Sequence, residues 1–306
     1  MTEPDIVILT GGTGGAKLAR GIADIAGPER LAAIVNTGDD IEIYGAHVSP
    51  DPDLVSFWLA DAIDERGWGL DGDSFAVMDA LRELGVEVWF NLGDRDLAWC
   101  LERARMLAEG IGATAALARL NEALGVRSQV LPMSDDPVRT WVRTGPAGWL
   151  TFQEFMIRER GEGMIEGLEY RGAEQARASE QVLAAIAGAS AIVIGPSNPL
   201  ASIAPILAVP GIHDALQAAN APVLAVSPIV AGEVIKGPTA SFMAFGALEL
   251  SADGIADFYG ELLDGIIADE DVGRLTTLQT DTRMHDRDAR VRLAEQTLSF
   301  AHALAG

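Results

Sequence analysis

The stretch IVILTGGTGGAKL, residues 6–18, indicates the fold class of this 306-residue chain. Its first four residues are apolar and predict a buried strand, and a glycine-rich turn follows directly. Leu18, Ile22 and Ile25 then recur at the spacing of one helix face, and residues 32–35 form a second apolar run. Strand, turn, helix and strand in this order make a βαβ unit, which predicts a parallel sheet.

Apolar runs of the same kind return at residues 191–194 and 223–226, and a last helix is predicted over residues 286–303. The middle of the chain differs, because helix patterns dominate there and short strands with turns follow. The helix patterns cover residues 54–64, 73–84, 94–109 and 113–123, and the short strands fall between residues 128 and 155. We therefore predict an α/β fold whose Rossmann-like parallel sheet core comes from residues 1–50 and 171–306. Residues 51–170 are predicted to be an inserted, mostly helical segment with a small strand region.

Composition excludes several classes of protein. The chain has 45 acidic against 22 basic residues, a formal net charge of -23, which argues against nucleic acid and anionic membrane surfaces as partners. Cys100 is the single cysteine, so an internal disulfide and a cysteine-rich zinc site are impossible, and its apolar neighbours predict a buried thiol. Neither a signal-peptide pattern nor an apolar run of membrane-spanning length is present, and we expect a soluble cytoplasmic protein.

Four of the apolar runs end in loops rich in Gly, Ser, Asn, Asp or Pro. These loops are residues 10–15, 36–40, 195–199 and 227–238. In an open parallel sheet, ligands bind outside the carboxyl ends of the strands, where the strand order reverses. One such loop is ordinary in α/β proteins, but four of them predict a ligand site.

The glycine loop itself suits phosphate. Glycines let the backbone approach an anion, and the following helix directs its N–H groups and positive dipole end at it. The loop is not a Walker A motif, because Lys17 is not placed in that pattern. It is also an incomplete dinucleotide fingerprint, since Lys17 replaces the third glycine and Asn36 stands where NAD sites often have an acid. The loop alone therefore predicts a nucleotide or phosphate.

Charged residues near these loops are the next candidates. Lys17 and Lys236 are the only lysines, and each lies by a glycine-containing loop, either by chance or as point charges for phosphate. Asp39 and Asp40 follow a strand and a glycine, where adjacent carboxylates suit Mg²⁺, or else form a solvated acidic turn. Asp53 precedes a predicted helix, so an alternative role for it is that of the helix N-cap.

Two further patterns are uninformative about catalysis. The histidines are scattered, with no spacing typical of a metal site, and we treat His47, His213, His285 and His302 as structural or surface residues. No G-x-S-x-G motif supports hydrolase nucleophile chemistry.

The loops become specific when they are read together. The ordered set is TGGTGGAK at residues 10–17, NTGDD at 36–40, SPDPD at 49–53, LGDRD at 92–96, FQE at 152–154, GPSNP at 195–199, PGI at 210–212 and SPIVAG at 227–232, followed by Lys236 and Gly237. From Ile6 to at least Gly265 the chain resembles the CofD/FbiA family, the 2-phospho-L-lactate transferases of coenzyme F420 biosynthesis.

The resemblance implies a reaction. A phosphorylated three-carbon acid, of the 2-phospholactate or phosphoenolpyruvate type, moves from a guanosine-diphosphate-linked donor to the deazaflavin Fo, and GMP is released. It also implies Mg²⁺ as cofactor, and we expect a homodimer that acts on small molecules. The physics of the site is compatible, since such a transfer needs mainly alignment and neutralisation of phosphate charge.

The resemblance also implies roles for individual positions. The residues expected to bind the nucleotide are Gly11, Gly12, Thr13, Gly14, Gly15, Lys17, Ser197, Asn198 and Ser227. Asp39 and Asp40 would hold the metal and, with Lys236, serve catalysis. Asp53, Asn91 and Asp94 in the inserted segment would meet the acceptor.

Two departures from the family pattern affect the acceptor positions. The family usually has D-L-D-T where this chain has DPDL at residues 51–54, and Asn91 stands where some members carry a basic residue. Two other functions remain open: a YvcK-like nucleotide-sugar-binding regulatory protein, and an NAD-dependent oxidoreductase, which Lys17 and Asn36 disfavour.

Overall fold

A computed structural model describes residues 3–145, 147–234 and 237–306 of the chain. Lys236, predicted above to serve catalysis, lies outside the described residues.

The strands are short. In chain order they are β1 (Ile6–Thr10), β2 (Leu31–Val35), β3 (Ile41–Ile43), β4 (Ala46–Val48), β5 (Gln129–Pro132), β6 (Arg139–Thr144), β7 (Gly148–Thr151), β8 (Ile165–Arg171), β9 (Ala191–Ile194), β10 (Val223–Val226), β11 (Ile229–Val230), β12 (Glu233–Val234), β13 (Gly265–Ala268) and β14 (Thr276–Gln279).

The α-helices lie between them. They are α1 (Gly12–Ala26), α2 (Pro50–Leu59), α3 (Ala76–Glu83), α4 (Asp94–Ala108), α5 (Ala113–Leu124), α6 (Glu180–Gly188), α7 (Ala204–Leu207), α8 (Ile212–Gln217), α9 (Thr239–Phe245), α10 (Ala252–Tyr259) and α11 (Arg287–Ala305). Two π-helical turns, Glu154–Arg158 and Pro199–Ile203, complete the segments used below.

Seven of the described strands form one parallel sheet in the order β14-β13-β10-β9-β1-β2-β5. The chain builds β1, β2 and β5 toward one edge and then continues with β9 on the other side of β1. The strand order therefore reverses between β1 and β9, and the loops after these two strands face a common crevice. This architecture confirms the predicted α/β class with a parallel sheet core.

Both faces of the sheet are covered, which explains why its strands read as continuous apolar runs. Ile6 and Ile8 pack with α1, α2, α5 and α11, whereas Val7 and Leu9 pack on the opposite face with α6 to α10. The alternation follows from the two-residue period of a strand. The buried face of α1 includes Leu18 and Ile22, as its spacing predicts, whereas Ile25, predicted on the same face, is exposed.

The inserted segment, residues 51–170, contributes a strand to the core sheet. β5 lies within residues 51–170, yet it pairs in parallel with β2 and forms an edge of the core sheet. A four-residue run that includes a proline gives little sign of sheet membership in the sequence, although proline is tolerated on an edge strand. Within the predicted small strand region, β6 and β7 belong to the antiparallel sheet β7-β6-β8, whereas its third strand, β8, lies beyond residue 155 and was not predicted.

Within the described ranges, no helix combines the length and apolar character needed to cross a membrane.

Candidate active site

The loops after β1 and β9 touch at the point where the strand order reverses. Ser197 Oγ donates a hydrogen bond to the carbonyl oxygen of Gly11 (2.8 Å) and lies 3.3 Å from the Gly11 nitrogen. A Cβ atom added at Gly14 would overlap the carbonyl oxygen of Pro196, so the two loops pack backbone to backbone. Helix α1 begins at Gly12, and its N-terminus points its amide groups into the crevice.

The carboxylate of Asp51 is hydrogen-bonded to the N-terminus of α1. The Gly12 N–H donates to Asp51 Oδ1 (2.6 Å), and Asn36 Nδ2 donates to Asp51 Oδ2 (3.0 Å). Asp51 is not the cap of this helix, because Ser49 occupies the N-cap position of α2 and Asp51 lies within its first turn. Burial raises the pKa of Asp51 to about 6, although the hydrogen bonds from Asn36 and Gly12 oppose this shift. Its place inside the SPDPD motif was the only signal that could have identified it.

Asp39 lies beside Asp51 in the same crevice. Asn36 Nδ2 donates to Asp39 Oδ1 (3.2 Å), and Gln153 Nε2 from the inserted segment donates to Asp39 Oδ2 (3.2 Å). Burial raises the pKa of Asp39 well above its usual value, and the Asp51 and Asp40 carboxylates raise it further. Two buried carboxylates thus share one amide donor.

Asp40 belongs to a different environment. Ser49 Oγ donates to Asp40 Oδ1 (2.7 Å), and His47 Nε2 lies 3.1 Å from Asp40 Oδ2. Burial lowers the pKa of His47, but its hydrogen bonds with Asp40 and Glu42 outweigh this and raise the pKa to about 9. His47, expected to be a structural or surface residue, thus pairs with a carboxylate seven residues away in the chain, and this pairing was not predicted.

The crevice encloses a cavity of about 430 Å³, here called the glycine-loop cavity. All four predicted loops contribute to its wall. Its lining includes Gly11, Gly12, Thr13, Gly14, Lys17, Asp39, Asp51, Phe152, Met156, Pro196, Ser197, Asn198, Pro228, Pro238 and residues 282–285. Gly15 and Ser227, also predicted to bind nucleotide, are buried outside this lining. A Cβ at Gly15 would overlap Thr10, and the Ser227 hydroxyl accepts from the Ile229 N–H (3.1 Å).

The remaining predicted nucleotide ligands are placed by local bonds. Lys17 Nζ donates to the Met284 carbonyl (2.9 Å) and lies 5.7 Å from the centre of the Trp58 ring. Asn198 Oδ1 accepts from the N–H groups of Leu200 and Ala201 (3.0 Å each). Among the described residues the Asn198 Nδ2 group is buried without a hydrogen-bond partner, which marks an unused donor at this wall of the cavity.

The predicted acceptor residues do not line this cavity in the described part of the chain. Asp53 is buried, accepts from both terminal nitrogens of Arg103, and receives a bond from Trp99 Nε1 (2.7 Å). It is not a helix cap either, since α2 starts before it at Pro50. The long-range partner Arg103 was not predicted from the sequence.

Asn91 and Asp94 are held at a different place. Arg82 donates to Asn91 Oδ1 (2.7 Å). The Asp94 carboxylate accepts from Ser74 Oγ and from the N–H groups of Ala76 and Val77 at the start of α3, and these bonds lower its pKa. Both residues therefore support the inserted segment.

The donor set of the glycine-loop cavity fits a hard divalent cation. Asp39 and Asp51 offer carboxylate oxygens, and Mg²⁺ is commonly held by one or two carboxylates with water and phosphate completing its shell. Asp40 does not join them at this cavity. Within the described residues, one group of three metal-ligating side chains converges closely, namely Asp53, Asp96 and Cys100, but the Arg103 guanidinium on Asp53 disfavours a cation there.

The sequence matches the family model described as 2-phospho-L-lactate transferase CofD over residues 6–299. Among curated relatives, the 2-phospho-L-lactate transferase of Methanosarcina mazei is 38% identical over 87% of this chain and 87% of its own length. The phosphoenolpyruvate transferase of Kitasatospora aureofaciens is 42% identical, covering 86% of this chain and 84% of that protein. That of Streptomyces griseus is 39% identical over 97% of this chain and 98% of its own.

The fold also occurs in solved structures. A crystal structure of a UPF0052 family protein from Bacillus halodurans superposes with a TM-score of 0.62 at 18% identity, covering 97% of this chain and 100% of the other. This similarity supports the α/β fold.

Proposed function

Since the chain belongs to the CofD family of 2-phospho-L-lactate transferases, we propose that it transfers a phosphorylated three-carbon acid from a guanosine-diphosphate-linked donor to the deazaflavin Fo. The observation that carries this proposal is the glycine-loop cavity at the point where the strand order reverses. There a helix N-terminus, two buried carboxylates and Asn198 line the same cavity, and the buried Nδ2 of Asn198 has no hydrogen-bond partner among the described residues. We place the diphosphate of the donor at the N-terminus of α1.

We place the acceptor against the part of the cavity wall that Phe152 and Met156 form. Phe152 and Met156, from the edge of the small sheet and the π-helical turn that follows, present apolar surface there. Apolar and aromatic side chains with a few placed polar groups are typical of sites for flat organic ligands. Because Asp53 is fully engaged by Arg103 and Trp99, we assign it a role in holding the inserted segment and not in touching the acceptor.

The chemical step requires no covalent enzyme intermediate. The terminal hydroxyl oxygen of the acceptor's ribityl chain forms a bond to the phosphorus that bears the three-carbon acid. The bond from this phosphorus to the oxygen bridging it to the GMP phosphate breaks, GMP leaves with the bonding electron pair, and the hydroxyl proton passes to water. Mg²⁺ held by Asp39 and Asp51 would neutralise charge on the diphosphate. The helix terminus and Asn198 would orient the donor.

The experiment combines the purified protein with Fo, Mg²⁺ and, separately, the lactyl, enolpyruvyl and glyceryl forms of the guanosine diphosphate donor. Mass spectrometry of the products identifies the acid transferred, and GMP release is followed by chromatography. We expect one phosphodiester product and stoichiometric GMP. Binding of nucleotide without any product from the three donors would overturn the proposal and favour a binding or regulatory role.

A further inference from the structure

The contact between Asp51 and Gly12 has a consequence for how the donor enters. Resting on the proposed function, we infer that Asp51 makes binding of the donor diphosphate depend on a divalent cation. The residue would thus determine the conditions under which the site accepts substrate, in addition to any part it takes in the transfer.

The amide at this helix terminus that would bind an anion is already occupied. The N–H of Gly12 lies at the N-terminus of α1, where the positive end of the helix dipole favours an anion. In the structure the anion at this amide is the protein's own: Asp51 Oδ1 accepts the bond at 2.6 Å. A phosphate oxygen that uses the same N–H must displace this carboxylate.

The cavity wall also places two carboxylates close together. Asp39 and Asp51 both accept from the single amide nitrogen of Asn36, at 3.2 and 3.0 Å, so the two carboxylates lie close together in the wall of one cavity. Both are buried, at 5% and 6% exposure, which weakens screening by water. A diphosphate that enters alone therefore meets two carboxylates at short range and a blocked amide.

A divalent cation would relieve that repulsion. Held by Asp39 and Asp51, it would neutralise the two carboxylates, and the Gly12 N–H would then be available to phosphate. Guanosine has no phosphate and does not meet this barrier. Binding of guanosine is therefore expected to be independent of the cation, whereas binding of GDP depends on it.

The test measures GDP and guanosine binding by calorimetry in Mg²⁺ and in chelator, for the wild type and for Asp51→Asn. Asparagine keeps the size of the side chain and an oxygen acceptor but removes the charge. Asp79→Asn is the control, because Asp79 is exposed on α3 and pairs with Arg82 at the surface. Thermal melts establish that each variant is folded.

We expect Mg²⁺ to tighten GDP binding to the wild type and to the control by about tenfold or more, and to leave guanosine unchanged. Asp51→Asn should bind GDP about fivefold more tightly than the wild type in chelator and lose most of the Mg²⁺ effect. A folded Asp51→Asn variant whose Mg²⁺ effect equals that of the wild type would overturn the inference.

Three results on the wild type alone also bear on the inference, even where the variant does not fold. GDP binding that is equally tight with Mg²⁺ and with chelator contradicts the role of Asp51 and leaves the proposed transferase function standing. No GDP binding under either condition contradicts both. A Mg²⁺ effect on GDP that is absent for guanosine supports the inference.

Discussion

Asp39 and Asp40 are neighbours in the chain, but their carboxylates line different cavities. Asp39 lines the glycine-loop cavity and accepts from Asn36 and Gln153. Asp40 lines a separate cavity of about 180 Å³ and is held by Ser49 and His47. An adjacent acidic pair in the sequence is therefore not a pair at the site, and the two residues should differ in function.

Asparagine variants separate these functions. Asp39→Asn should raise the Mg²⁺ concentration needed for half-maximal turnover by about tenfold or more, because it removes a proposed metal ligand. Asp40→Asn should lower stability by about 1–2 kcal/mol, because protonated His47 loses its charged partner, and added Mg²⁺ should not restore its turnover. Turnover against Mg²⁺ concentration and urea unfolding of both variants provide the comparison. Equal Mg²⁺ requirements in the two variants would show that the carboxylates act together after all.

Two glycines of the same loop should respond differently to a side chain. Gly14→Ala places a Cβ against the Pro196 carbonyl and should destabilise the protein by about 1–3 kcal/mol as well as weaken GDP binding.

Gly12 has a positive φ of 69° and open space around its Cβ position. Asparagine tolerates this backbone region, so Gly12→Asn should fold. Its side chain should block the diphosphate and weaken GDP binding with little change in melting temperature. GDP titration with parallel thermal melts checks both, and undiminished GDP affinity in Gly12→Asn would place the diphosphate elsewhere.

The features that the sequence predicted well are local in the chain. Strands β1, β2, β9 and β10 are short apolar runs that end in polar loops, and a run of this kind identifies itself without knowledge of its neighbours. The ligand crevice followed from the rule that parallel strands place their carboxyl ends together. Asp39, in one of the loops that this rule selects, lines the cavity, as do Gly12 and Asn198, whose roles the family resemblance implies; that these residues bind a ligand stays a prediction.

The features that were missed depend on contacts between distant positions. Asp53 was interpreted as an acceptor ligand or helix cap, whereas its partner Arg103 stands 50 residues later on α4. Asp51 reaches Gly12 across 39 residues. A carboxylate in a loop has several possible partners, and only the packed arrangement of α1, α2 and α4 selects one.

The Asp53–Arg103 pair makes a prediction about stability. Arg103 is almost fully buried and also donates to the His47 carbonyl (3.0 Å), so loss of the Asp53 charge leaves a buried cation without its partner. Asp53→Asn should lower the free energy of unfolding by about 3–5 kcal/mol. The double variant Asp53→Leu with Arg103→Met should lose less than Asp53→Asn, because it leaves no unpaired charge. Urea unfolding of the single and double variants measures this coupling.

A direct role of Asp53 at the acceptor would give another pattern. In that case Asp53→Asn would melt like the wild type and bind Fo more weakly, with GDP binding unchanged. A normal melting curve combined with weaker Fo binding would return Asp53 to the acceptor site.

Asp96 makes stability depend on pH. Burial raises the pKa of Asp96 to about 7, and the nearby Asp53 carboxylate adds to the shift, whereas Arg103 opposes it. In the unfolded chain the pKa is about 3.9. Between these two values the folded protein binds more protons than the unfolded chain, so the contribution of Asp96 to the free energy of unfolding falls as pH rises from about 4 to about 7.

The variant Asp96→Asn removes this contribution, since the amide does not titrate. Relative to the wild type, the variant should gain about 1–2 kcal/mol between pH 4 and pH 8, less than a fully buried acid would give, because water still reaches part of the side chain. Urea unfolding at several pH values, with Asp79→Asn as an exposed control, measures the difference. Parallel curves for Asp96→Asn and the wild type would show that the Asp96 carboxyl keeps its charge in the folded protein, held by Arg103 more strongly than burial disfavours it.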